Sequence, residues 1–125
     1  MKTACVNYGH ILKENCDVKI CKLVQSLGVP TSLIGYYYMC IGVSIISDES
    51  SESKNLMDVY NMIAQIFDTS PTRVERGIRH AIDISYMNKS DELNKLFNGS
   101  VNLLKRKPQN TEFLHTAALK YMELI

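Results

Sequence analysis

Apolar residues along this chain recur mostly at spacings of three and four, and that helical period narrows the fold more than any other feature. The periodic runs are separated by clear breaks at Gly28-Val29-Pro30, the polar run 47–55, Asp68 to Pro71, Asn98-Gly99 and Lys107-Pro108. "VKICKLVQSLG" sets Val18, Cys21, Val24 and Leu27 in one stripe and stops at a glycine, as helices often do. "TSLIGYYYMCIGVSII" holds enough β-branched and aromatic residues to suggest a strand. Its length, and Leu33, Tyr37, Cys40, Ile41 and Ser44 at helical spacing, favour a helix instead. Tyr36, Tyr37 and Tyr38 then point different ways and suit packing better than base stacking. "NLMDVYNMIAQIF" turns Leu56, Val59, Ile63 and Ile66 or Phe67 inward. A short helix "DELNKLF" and a closing helix "TEFLHTAALKYMELI" follow. Asn110 or Thr111 can cap the latter, with Phe113, Ala117, Leu119 or Lys120, and Leu124 spaced along it. The expected fold is all-α, a compact bundle of about five or six helices.

A chain of 125 residues is long enough for one domain with a modest core. Its net charge of +1 gives no global pull toward nucleic acid, membranes or acidic partners, so any basic site must be local. No apolar run reaches the ~18 residues of a membrane span, and the N-terminus lacks the apolar core of a signal peptide. A cytoplasmic protein with no membrane partner is expected. Cys5, Cys16 and Cys21 with His10 invite a zinc site, but their spacing departs from paired-ligand patterns. The thiols, with Cys40, read as reduced and partly buried, and no metal is expected. Asp48, Glu49 and Glu52 fall in a serine-rich polar run that reads as a solvated loop, not a catalytic cluster. With no phosphate loop, nucleophile elbow or strong metal set, neither catalysis nor a cofactor is expected.

"SPTRVERGIRHAIDIS", residues 70–85, concentrates the chemistry. Ser70 with Pro71 at the first helical position, or Thr72 with Glu75 as a capping box, starts a helix here. Val74, Ile78, Ala81, Ile82 and Ser85 share one face. Thr72, Arg76, Arg79, His80 and Asp83 gather opposite, with Arg73 and Glu75 at the edges. A helix and a short turn precede this segment, which is the helix-turn-helix plan. Arginine forks onto guanine O6 and N7, and glutamate accepts from the cytosine amino group. Glu75 is also expected to aim Arg73 and Arg76. A solvated face with Glu75 paired to Arg79 at i, i+4 is the competing expectation. His80 has no neighbour to orient it as a base and suits a polar or phosphate contact.

"TRVERGIRHAID" resembles the "SRVERAIRHAIE" signature of the stage 0 sporulation protein A family, within the C-terminal DNA-binding effector domain of these sporulation response regulators. "LGVPTSLIGYYYM" and "LFN…KRKPQNTEFL" are similar to two further family segments, in the same order, over about Val24 to Tyr121. The resemblance implies an all-helical domain that binds short promoter boxes in double-stranded DNA, head to tail as a homodimer on tandem sites, and works with the transcription machinery. It implies base contacts from Arg73, Glu75 and Arg76, and supporting or backbone contacts from Thr72, Arg79, His80, Lys105 and Lys107, with Arg106 alongside. Residues 1–22 are expected to be an N-terminal extension with room for some helix, and residues 23–125 the effector-like domain.

Ile34, Cys40, Gln65 and Ile66 stand where the resembled family shows basic residues. Fewer phosphate contacts mean weaker binding and a shallower salt slope. Gly77 replaces the family's alanine and is expected to weaken the helix by about 1 kcal/mol where exposed. The length leaves no room for a receiver domain of comparable size, so phosphorylation control in cis is not expected. The alternative function is a protein-interaction module that pairs with a full-length sporulation regulator and modulates it without strong DNA binding of its own.

Overall fold

A computed structural model describes residues 7–48 and 55–125. Cys5, Glu49 and Glu52 lie outside the described residues. Among those described there are helices only: α1 (Tyr8–Asn15), α2 (Val18–Ser26), α3 (Ile34–Ser47), α4 (Leu56–Phe67), α5 (Pro71–Asn88), α6 (Asp91–Phe97) and α7 (Asn110–Leu124). Seven helices replace the expected five or six. The additional one is α1, whose eight residues bury only Leu12 and so carry little periodic signal. It is capped by the Asn7 side chain, which accepts from the His10 amide at 3.0 Å. It is docked by Tyr8, whose ring lies 5.2 Å from that of Tyr37 and 5.7 Å from that of Phe67.

The segment that carried strand-like residues, α3, is the central helix. It packs on α1, α2, α4, α5 and α7, and its buried residues, Gly35, Tyr36 and Tyr38 through Val43, surround the whole helix. Burial on all sides explains the β-branched and aromatic composition, because the helix presents no solvent face that would dilute it. Tyr36 and Tyr38 are core residues and Tyr37 is half-buried against Tyr8.

The α2 stripe differs from the expected one. Ile20, Leu23, Val24 and Leu27 are buried, Cys21 is half-buried, and Val18 points to solvent. A helix of nine residues wedged against both α3 and α7 buries more than one stripe. In α4 the choice falls to Phe67, which is buried while Ile66 is exposed. In α7 the buried residues are Phe113, Leu114, Ala117 and Ala118, and Leu119 and Leu124 are exposed. Its N-cap is Gln109, not Asn110 or Thr111; the Glu112 carboxylate accepts from the Gln109 amide at 2.8 Å. That shift by one residue frees the Asn110 side chain for a different task at α5. Among the described residues, no helix is long and apolar enough to cross a membrane.

Candidate nucleic-acid interface

Residues 68–70 join α4 to α5, and the two helices pack on each other. Asp68 ends α4 in the left-handed region at φ 54°, a conformation aspartate tolerates better than most residues. The Thr69 amide returns to the Ala64 carbonyl at 2.9 Å, closing the helix end. Ser70 then caps α5, accepting from the Arg73 amide at 3.2 Å, with Pro71 at the first helical position. Of the two expected starts, the serine cap is the one formed.

The helix α5 is held along its length. Its buried residues are Val74, Ile78, Ala81, Ile82 and Ser85, the face expected from the sequence. Near its C-terminus, Ser85 Oγ donates to the Leu27 carbonyl at 2.5 Å and Asn88 Nδ2 to the Gly28 carbonyl at 2.7 Å. At its N-terminal end, Asn110 Nδ2 donates to the Glu75 carbonyl at 3.2 Å and to the Tyr60 hydroxyl at 2.9 Å. One amide thus ties α7 to both α4 and α5. In the middle, α5 crosses α3 at a contact between Gly35 and Gly77. A Cβ on Gly35 would lie 2.2 Å from the Gly77 carbonyl oxygen, and one on Gly77 would lie 2.9 Å from the Tyr38 ring. Gly77 is therefore half-buried beneath a tyrosine, not an exposed weak point.

What α5 presents to solvent is cationic. Thr72, Arg73, Arg76, Arg79 and His80 are all exposed, and Glu75 is half-buried. Glu75 pairs with Arg79 one turn on, not with Arg73 or Arg76, so it does not aim those two. Arg73 lies close enough to Tyr38 to favour its ionised form, as does the Thr69 hydrogen bond. Burial outweighs both and pushes the Tyr38 hydroxyl above the ordinary phenol range. Arg73, Arg76 and His80 form no ion pair among the described residues.

The run at residues 105–107, between α6 and α7, lies beside this face. The Lys107 ammonium pairs with Asp83 of α5. Arg106 makes two hydrogen bonds to Glu112, at 2.8 and 2.9 Å. Those bonds, with the Gln109 amide, hold the Glu112 carboxyl down to about 2. Lys105 is exposed and forms no ion pair among the described residues. Tyr60, Glu75, Arg79, Asp83, Lys107 and Asn110 line one open groove of about 640 Å³ between α4, α5 and this connection.

The four positions at which the resemblance leads one to expect basic residues fall in different environments. Gln65 and Ile66 are exposed on α4, Ile34 is half-buried against the core, and Cys40 is wholly buried. Among the described residues, no group of three His, Cys, Asp or Glu side chains is placed to hold a metal ion, and His10 instead faces Glu14. Sequence reasoning did not find Asn110, Ser85 or Asn88 as anchors of α5. Asn110 was legible only as a cap and Ser85 only as a member of the buried face, while Asn88 lies beyond the segment read as the helix.

Residues 20–121 match the family described as sporulation initiation factor Spo0A C terminal, a span that runs from within α2 into α7 and leaves out α1. With most of its length matched, including the α4–α5 pair and the 105–107 run, the chain belongs to that family.

Proposed function

We propose that this chain is a sequence-specific double-stranded DNA-binding transcriptional regulator of the sporulation-initiation type, with α4 and α5 as a helix-turn-helix and α5 in the major groove. The observation that carries this reading is the exposed Arg73, Arg76, Arg79 and His80 face on a helix whose opposite face is fixed in the core. A reading helix must be rigidly seated, because base-edge hydrogen bonds tolerate little displacement. The Asn110, Ser85 and Asn88 hydrogen bonds and the glycine crossing supply that rigidity.

On this reading Arg73 and Arg76 take base edges. Glu75 accepts from a cytosine once it has exchanged its pairing with Arg79 for a base. Thr72, Arg79, His80, Lys105 and Lys107 take phosphates or support the readers. Promoter boxes in tandem would be occupied by two copies head to tail, acting on the transcription machinery in the cytoplasm. Residues 23–125 form the binding domain and residues 1–22 an extension to it.

One observation favours the second reading, an interaction module for a full-length regulator. Met57, Met62 and Ile66 are exposed on α4, the helix expected to lie across the phosphate backbone. Fluorescence anisotropy against a duplex carrying a family-type box and against a scrambled duplex, over a range of salt, separates the two. Arg76→Ala is expected to lose about 1–3 kcal/mol on the box and to relax one base position. Equal, negligible binding of the unmodified chain to both duplexes would overturn the DNA reading and leave the interaction module.

A further inference from the structure

Three helices bring three cysteines together on the side of the bundle where α1 docks. Cys16 caps the C-terminus of α1, Cys21 lies in α2 and Cys40 in α3. The Cys16 and Cys21 sulfurs are 3.9 Å apart, and Cys16 Sγ donates to the Cys40 carbonyl at 3.6 Å. Cys16 and Cys21 are each half-buried and reachable from solvent, while Cys40 is sealed in the core. The DNA reading uses none of them.

We propose that Cys16 and Cys21 are a peroxide-oxidisable dithiol, a modification site in which one thiol is oxidised and the other resolves the product to a disulfide. Closing the sulfurs from 3.9 Å to the ~2.05 Å of a disulfide needs a modest rotation at a helix cap, not a rearrangement of the core. Hydrogen bonding between the two sulfurs favours a thiolate on one member of the pair and a thiol on the other. A thiolate is the nucleophile and a neighbouring thiol the resolver.

The chemistry balances with hydrogen peroxide as oxidant. The thiolate of one cysteine attacks one peroxide oxygen, the O–O bond breaks, and sulfenic acid and hydroxide form. The sulfur of the other then attacks the sulfenic sulfur, the S–O bond breaks, and the departing hydroxide takes its proton. Two thiols and one peroxide give one disulfide and two waters. In a reducing compartment such a bond is transient and reversible, which suits a sensor better than a permanent staple.

The test treats the reduced, full-length chain with graded hydrogen peroxide, quenches with an alkylating agent and maps tryptic peptides by mass spectrometry. Cleavage after Lys13, Lys19 and Lys22 separates Cys16 from Cys21, so a disulfide appears as Glu14–Lys19 joined to Ile20–Lys22. The expected result is this linked pair as the first product, removed by dithiothreitol and formed equally in Cys5→Ser. Cys16→Ser and Cys21→Ser should each abolish the linked pair, with a dimedone-reactive sulfenic acid on the remaining cysteine of at least one of the two variants. Random pairing, a first link to Cys40 or Cys5, or no link in the unmodified chain would overturn the proposal, and that last readout does not depend on any variant folding.

Discussion

Gly35→Ala tests the packing that seats α5. The added Cβ would lie 2.2 Å from the Gly77 carbonyl oxygen and 2.8 Å from the Ala81 Cβ. Both obstacles belong to a helix, one of them to its backbone, so no side-chain rotation relieves the contact. Ordinary carbon–oxygen separation requires the helices to part by roughly 1 Å, and overpacking of this kind costs about 1–3 kcal/mol or more. Alanine returns up to about 1 kcal/mol of helix propensity in α3. With backbone as the obstacle the steric cost falls at the upper end, leaving a net loss of about 2 kcal/mol. Urea denaturation followed by circular dichroism should show a lower midpoint at an unchanged slope. Gly9→Ala is the control. It sits in α1, where the nearest atom to a new Cβ is Asn7 Oδ1 at 3.6 Å. That change should be neutral or stabilising by up to about 1 kcal/mol. If Gly35→Ala matched or exceeded the unmodified chain in stability, the two helices would not cross at carbonyl contact and the seating argument would fail.

Ser85→Ala removes the hydroxyl that reaches the Leu27 carbonyl from a fully buried position; a loss of about 1–2 kcal/mol is expected from the buried acceptor left behind, read as a urea midpoint shift. Asp83→Asn releases Lys107 from its carboxylate partner. On the DNA reading it should steepen the salt dependence of binding by about one phosphate contact, and Lys107→Ala in the same background should cancel the gain. Glu112 titrates at about 2, held down first by Arg106 and then by the Gln109 amide. Its folded-state pKa lies below its unfolded one, so its stabilising contribution is present above the ordinary carboxylate range and is lost as pH falls toward 2. Arg106→Ala should move the Glu112 carboxyl midpoint upward in an NMR titration; an unmoved midpoint would remove the Arg106 pairing as its cause.

The helix α5 was readable residue by residue because it is long, has one buried side and begins at a serine–proline start. Its 18 residues give the 3.6 period room to declare itself. Helix α3 was readable in type but not in facing, since a helix buried all round has no polar side to mark its orientation. Helix α1 was not readable, because Leu12 alone of its eight residues is buried and its position depends on Tyr8 meeting Tyr37 and Phe67. The pairing of Lys107 with Asp83 spans 24 positions and that of Asn110 with Glu75 spans 35, distances over which sequence spacing carries no geometric information. The glycine crossing was equally hidden, since Gly77 in a helix reads as a weakness until Tyr38 is seen lying over it.

On the DNA reading, the same contacts revise where the α5 surface is short of charge. A cation in place of Cys40 would sit at a position fully buried in the core, so its absence removes no phosphate contact here. Ile34 is half-buried and packed against the core, leaving Gln65 and Ile66 as the exposed positions among the four where the resemblance implies a positive charge. A larger reduction comes from within the chain: Glu75, Asp83 and Glu112 each hold one cation of the face or its rim. These three pairs are exposed or nearly so, and pairs of that kind are weakly held because water screens them. On the DNA reading a phosphate competes for each of these cations, so the surface would be weak in the free protein and recoverable on contact. A chain lacking the cations outright would show a shallow salt slope that no single acidic substitution could change. One whose cations are held by acidic neighbours would respond to Asp83→Asn and to Glu112→Gln. The response of the slope to those changes, rather than the affinity itself, therefore distinguishes a surface that has lost its charge from one that holds it in reserve.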